Sequence, residues 1–416
     1  MKILYTFSLI ISLQVMTIFA NEPDPVYVFS TKEFPVYRIP AIATTQNGTL
    51  IAVADYRYGG HDIGFGSVEL QRRISKDNGK TWGYILELTH GQYTKTPQPK
   101  YDAAYGDPCI VSDRTSNRTL LMSCSGNTPF PSGLREDHQG IARFYSNDEG
   151  ITWSEPDNLE STFYGFFDHR KRGPVSSMFI ASGRICQSRQ VKYGKYYRLY
   201  CSIVVKEKPT DTSYNDYVVY SDDFGENWHL LGDADTPSIS GGDEPKVEEL
   251  PDGRVLCSSR VRGGRKFNIF TYTDKYRGKG TWAKDAFSGE GNNGVISPAC
   301  NGEIMIVPVT RLSDGKAMHL ALHSTPADTK ERKNVGIFYK GLPDRKSYST
   351  PEIFAANWEG LHQSTTMPSA YSTFTLMQNG HIGFFYEETT FGKEYTLVFK
   401  DYTIETLTDG KYSFRE

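Results

Sequence analysis

At 416 residues the chain is long enough for two or three ordinary domains, yet radial β folds use such a length as one unit, so length does not settle domain count. With 46 Lys and Arg against 49 Asp and Glu, it lacks the broad basic field that nucleic acid or an anionic membrane demands, and an anionic partner would have to be met by a local arginine cluster. Aromatic residues at 13% and 38 glycines suit many short strands joined by tight turns, which reads as all-β before any motif is considered.

The N-terminus carries one charge, Lys2, then an apolar run from Ile3 to Ala20 that stops before the acidic, Pro-rich NEPDP. This pattern predicts a secretory signal peptide over residues 1–20, cleaved after Ala20. Export to the periplasm, the cell surface or the medium would follow, with no stable membrane insertion once the peptide is removed. A transmembrane anchor is the competing reading, but no positively charged stop-transfer flank follows.

Three octapeptides then share the pattern Ser-x-Asp-x-Gly-x-x-Trp: SKDNGKTW at 75–82, SNDEGITW at 146–153 and SDDFGENW at 221–228. The pattern is a turn device, in which Asp accepts backbone N–H bonds, Gly supplies a positive φ and Trp packs back onto the hairpin. A stretched fourth copy, YTDKYRGKGTW, keeps Thr273, Asp274 and Trp282. Recurrence at blade-sized intervals, between apolar runs such as TLIAVADY, RLYCSIVV and EIMIVPV, argues for radial β repetition. Residues 21–416 have room for six four-stranded blades, and no low-complexity linker marks off a second domain. The segments Gly91 to Tyr105 and Lys206 to Asn215 lack strand pattern and are expected to overhang a blade face.

Cys109, Cys124, Cys186, Cys201, Cys257 and Cys300 stand singly in apolar stretches, without CxxC or His at metal-ligand spacing. Buried free thiols are the favoured reading, although Cys109 with Cys124, or Cys186 with Cys201, could bridge adjacent strands.

The Ser-x-Asp-x-Gly-x-x-Trp turns are Asp boxes, and they follow YRIP at 37–40; together, in this order, the chain resembles the sialidases. The resemblance runs through the whole mature chain and implies a six-bladed β-propeller of four-stranded antiparallel blades. It also implies an exo-α-sialidase that acts on sialylated glycoproteins, glycolipids and oligosaccharides without metal or organic cofactor. In that family three arginines hold the substrate carboxylate. The resemblance assigns them to Arg38 in YRIP, Arg260 closing EPKVEELPDGRVLCSSR, and Arg332 in STPADTKERKNVGIF. The last hairpin, SAYSTFTLMQNGHIGFFYE, supplies Tyr371 as nucleophile and Glu387 as the support of the first arginine. Glu244 would be the base for Tyr371. The loop DYRYGGHDIGFGSVELQRRIS supplies Arg57 as a substrate contact and Asp62 as acid/base, and GDPCIV places Asp107 in the pocket. Arg311 and Arg345 compete with Arg332, Arg262 competes with Arg260, and Asp55 competes with Asp62. His61 is only a neighbour in its loop.

The chemistry suits these residue types. Sialic acid carries a carboxylate on its anomeric carbon, so planar guanidinium forks hold it well, and a neutral phenol approaches that carbon without the repulsion a carboxylate nucleophile would meet. A sialoglycan-binding propeller without catalysis is the runner-up, but it has no need of Asp62, Glu244 and Tyr371 together. Transfer of sialic acid to another sugar, or intramolecular release of an anhydro product, differs only in what reaches the covalent intermediate.

Overall fold

Antiparallel strands dominate the computed structural model, which describes residues 22–30, 36–58, 60–89 and 104–416. The expected signal peptide lies outside the described residues, as do all but the last two positions of the segment from Gly91 to Tyr105. Among the described residues no helix is long and apolar enough to cross a membrane.

One sheet runs Val36–Thr44, Leu50–Arg57, Val68–Ser75, Leu86–Glu87. A second is built on Tyr105–Ser112, Thr119–Ser125 and Gly140–Ser146. A fourth centres on Glu303–Arg311, Lys316–Pro326 and Val335–Leu342, and a fifth on Ser369–Leu376, Ile382–Glu388 and Thr396–Tyr402. Between the second and the fourth in chain order comes a ten-stranded sheet, joined at its middle where residues 214–216 pair with 239–242. Its two halves fold face to face, since Val218 and Tyr220 share a buried cluster with Val255, Cys257 and Phe270.

Four strands per sheet therefore holds only in part. Gly183–Arg184 adds a parallel strand beside Tyr105–Ser112, and the chain ends complete distant sheets. Val26–Phe29 pairs with Thr396–Tyr402, and Tyr412–Phe414 pairs with Glu303–Arg311. These additions satisfy N–H and C=O groups that an open edge would leave to solvent, a gain that strand patterning does not encode.

Face-to-face stacking also explains why central strands such as Thr119–Ser125 are buried at every position instead of alternating. Ile42 and Leu50 pack on Phe385 and Phe399 of the last sheet, while Ala41 and Ile51 pack on Ile110 and Phe144 of the next. Leu120 meets Ile203, Leu256 meets Ile304, and Val307 meets Phe374 in the succeeding gaps.

The Asp boxes sit at the outer turns of this stack. Asp77 accepts from Thr81 N at 2.9 Å and from Ser75 Oγ at 2.8 Å, while the Trp82 indole donates to Gly79 O at 3.0 Å. The second box repeats this with Thr152 N and Trp153, but in the third the Trp228 indole has no acceptor among the described residues. The glycines do more than supply their positive φ. A Cβ on Gly79, Gly150 or Gly225 would come within 2.0 Å of Phe399, 2.7 Å of Ile51 and 2.5 Å of Leu120, so each box wedges against the preceding sheet.

All six cysteines are buried free thiols. Neither suggested bridge forms, because Cys109 faces Cys201 on a neighbouring sheet, Sγ to Sγ 3.9 Å.

Candidate active site

The innermost strands reach the site through a shared irregularity. Register slips between Arg38 and Ala41, between Gly106 and Cys109, and between Asp243 and Lys246. At each slip one residue takes a positive φ just before a proline: Ile39 at 58°, Asp107 at 53° and Glu244 at 41°. Such bulges re-aim side chains at a strand end, and proline is tolerated there because the ladder bond is already broken. A positive φ on a β-branched Ile costs about 1–3 kcal/mol, which the surroundings must offset.

Glu387, fully buried, supplies much of that support. Its carboxylate accepts from Arg38 Nε at 2.8 Å and Nη2 at 3.2 Å, from Ile39 N at 2.8 Å and from Tyr371 N at 3.0 Å. One side chain thus orients an arginine, pins its bulge and anchors the strand that carries Tyr371.

Tyr371 is where the arginines meet. Arg38 and Arg332 hold their Cζ atoms 5.5 Å and 5.7 Å from its ring, and Arg260 Nη1 is 3.4 Å from its hydroxyl. Arg311 and Arg345 are instead engaged with Asp314 and Asp252 at exposed turns, and Arg262 makes no contact with Tyr371 or Glu244 among the described residues.

The Tyr371 hydroxyl donates to Glu244 Oε1, and Glu244 Oε2 pairs with Arg260 Nη1 at 2.8 Å. Burial opposes the charge on Glu244, but Arg260 and the Tyr371 hydrogen bond outweigh it and hold the carboxyl below its ordinary range. Burial, then the Glu244 charge, pushes the Tyr371 phenol well above its ordinary value. A phenol that resists ionisation beside a carboxylate that keeps its charge suits proton withdrawal during attack.

Arg57 organises the acidic side. It donates to Asp55 Oδ2 from Nε at 3.1 Å and Nη2 at 2.8 Å, and the same Nη2 lies 3.1 Å from Asp62. Asp55 is wholly buried and accepts from Asp107 N at 3.0 Å, whereas the Asp62 side chain is 55% exposed. Burial and then the Asp62 and Asp55 carboxylates raise Asp107 well above its ordinary value.

A cavity of about 270 Å³ joins these groups, lined by Asp62, Asp107, Glu244 and Tyr371 and by the rings of Phe65, Phe130 and Phe179. Asp243, Tyr214 and Gln139 line it too and were not singled out in the sequence. Asp243 lies 3.6 Å from Arg260, and burial, then Glu244, pushes its carboxyl to about 7. Its signal was adjacency to Glu244 at a pre-proline bulge, a feature visible in DEP.

Curled antiparallel sheets, with three arginines gathered at a tyrosine of the cavity wall, define a protein of β-propeller type. The family described as BNR/Asp-box repeat matches residues 144–155 and 219–230, the second and third turns. A sialidase of Micromonospora viridifaciens is 28% identical over 370 residues, covering 86% of this chain and 50% of that relative, so the chain spans half of its length. In fold, the chain is similar to an intramolecular trans-sialidase from Ruminococcus gnavus, with a TM-score of 0.70 at 19% identity over 92% of this chain and 98% of that one. The Hadza microbial sialidase Hz136 gives 0.69 at 22% identity over 89% and 66%. Over most of its length the chain is thus similar to sialidases, in sequence and in fold.

Proposed function

We propose that the protein is a retaining exo-α-sialidase that hydrolyses terminal sialic acid from glycoproteins, glycolipids and oligosaccharides, working from a six-bladed propeller. The blade count follows from taking the face-to-face halves of the ten-stranded sheet as separate blades. The carrying observation is convergence: three arginines, two on strands and Arg332 on a loop, surround one phenol that is hydrogen-bonded to a carboxylate.

Arg38, Arg260 and Arg332 would grip the sugar carboxylate, and fixed guanidinium forks would hold the anomeric carbon over the phenol. Glu387 would keep Arg38 in register. As Tyr371 Oη attacks, its proton passes to Glu244, while Asp62 protonates the departing glycosidic oxygen. Asp62 then draws a proton from water as the water oxygen attacks the anomeric carbon, and Glu244 returns its proton to the departing Tyr371 Oη, so the sugar leaves with its configuration retained. Tyrosine nucleophiles are the sialidases' departure from the two-carboxylate scheme of other retaining glycosidases. Arg57 and Asp107 would contact the sugar's substituents.

Incubation with a fluorogenic sialoside tests this reading. Wild type releases fluorophore, and Asp62→Ala and Tyr371→Phe lose activity by orders of magnitude. Activity unchanged by both substitutions would misassign the site. Sialoside binding without turnover by wild type would point to a binding propeller. Free sialic acid as product marks hydrolysis, and an anhydro sugar marks the intramolecular transfer named for the Ruminococcus gnavus neighbour.

A further inference from the structure

A proton donor must touch the glycosidic oxygen, so the group that leaves lies on the solvent side of Asp62. The short loop that carries Asp62 also carries Phe65, and both line the cavity. Phe65 N donates to Asp62 O at 3.0 Å, which closes residues 62–65 into one turn and carries the ring and the carboxyl together.

The turn is fixed from beneath. Ile63 is buried in the apolar core, and Gly64, at φ +85°, lies so close to Pro129 that an added Cβ would stand 2.3 Å from its backbone nitrogen. What the turn presents outward is the Asp62 carboxyl and the Phe65 ring, which is 64% exposed. Both line the cavity. The other rings of the apolar wall support one another, Phe130 lying 4.7 Å from Phe179 and 4.8 Å from Tyr214 between centroids. Phe65 makes no such ring contact among the described residues. A large apolar side chain displayed on a pinned turn beside an acid is poised for a ligand surface rather than for the core.

We propose that Phe65 is a specificity-determining residue that stacks on the apolar face of the sugar to which sialic acid is attached, and so selects the leaving glycan. The proposal rests on the sialidase reading and extends it to the leaving side of the site. A hexopyranose shows one face rich in C–H groups, which suits the electron-rich face of a phenyl ring. The contact exists only until the glycosidic bond breaks, so it acts on formation of the tyrosyl intermediate and not on its hydrolysis.

The test compares kcat/KM of wild type, Phe65→Ala and Phe65→Tyr on sialyllactose and on sialyl fluoride, whose leaving group offers no sugar face. Phe65→Ala is expected to lose about five- to tenfold on sialyllactose, consistent with one aromatic contact, and to stay within about twofold of wild type on sialyl fluoride. Phe65→Tyr restores the sialyllactose value, and inhibition by free sialic acid is unchanged in both variants. Equal losses on the two substrates would show that the ring acts through Asp62 or on sialic acid itself, and would overturn the proposal. So would an unchanged value on sialyllactose. A wild type that turns over neither substrate fails the sialidase reading first, and the proposal falls with it.

Discussion

Tyr371 donates its hydroxyl hydrogen bond to Glu244, a residue 127 positions away in the chain, and Arg260 completes the group by pairing with the same carboxylate at 2.8 Å. Glu244→Gln preserves the shape of the carboxylate but not its basicity. Its kcat/KM on a fluorogenic sialoside is expected to fall by about 10²–10⁴-fold, the usual loss of a general base, while the fold survives. Steady-state kinetics beside a circular dichroism spectrum checks both halves of the prediction.

Glu387→Ala removes four hydrogen bonds at once, those from Arg38 Nε and Nη2, Ile39 N and Tyr371 N. Leaving a largely buried guanidinium without its carboxylate costs about 3–5 kcal/mol. Urea denaturation should show that loss as a lower midpoint at constant slope, and the residual folded enzyme should have a raised KM. Glu387→Gln, which keeps an acceptor, falls between the two.

Gly79→Ala tests the wedge between the first Asp box and the last sheet. Its φ of +82° disfavours any Cβ, and that Cβ would stand 2.0 Å from Phe399. A loss of at least about 2 kcal/mol is expected from backbone and overpacking together. Gly173→Ala has a similar φ of +82° in open space and gives the backbone cost alone. Equal melting temperatures for the two variants would rule out the wedge.

Stability should decline with alkaline pH through the acidic cluster. Burial pushes Asp55 to about 7, and burial with Glu244 pushes Asp243 to about 7, both above the ~3.9 of an unfolded aspartate. The folded state then binds these protons more tightly, so their contribution is full below about pH 4 and is lost as pH rises through about 7. Melting temperature is expected to drop between pH 5.5 and 8, and to drop less in Asp55→Asn and Asp243→Asn. Glu22 has the opposite sign. Burial opposes its charge, but bonds from His362, Lys400 and Tyr402 bring it to about 2, so its contribution is lost only under stronger acid, as pH falls from about 4.5 toward 2.

The Asp boxes, the apolar runs between them and YRIP made the all-β class legible, because turn chemistry and strand composition act within a few residues. The same motifs named Arg38, Arg260, Arg332, Tyr371, Glu244, Asp62 and Glu387 through resemblance, and the structure gathers Arg38, Arg260, Arg332, Glu244 and Glu387 around Tyr371, with Asp62 lining the same cavity. Phe65, Gln139, Tyr214 and Asp243 were missed. Each is an ordinary residue type whose significance comes from facing a cavity, and a cavity has no local signature.

Local sequence alone determined where the chain turns and which stretches extend, since backbone geometry at Gly, Pro and Asp is set by near neighbours. Only the assembled sheets decided that Val26–Phe29 joins the last sheet, that the box glycines wedge against a preceding sheet, and that Cys109 faces Cys201. Those outcomes depend on burying apolar faces and pairing strand edges between segments far apart in the chain, 92 residues in the case of Cys109 and Cys201, and such contacts are specified by shape in three dimensions.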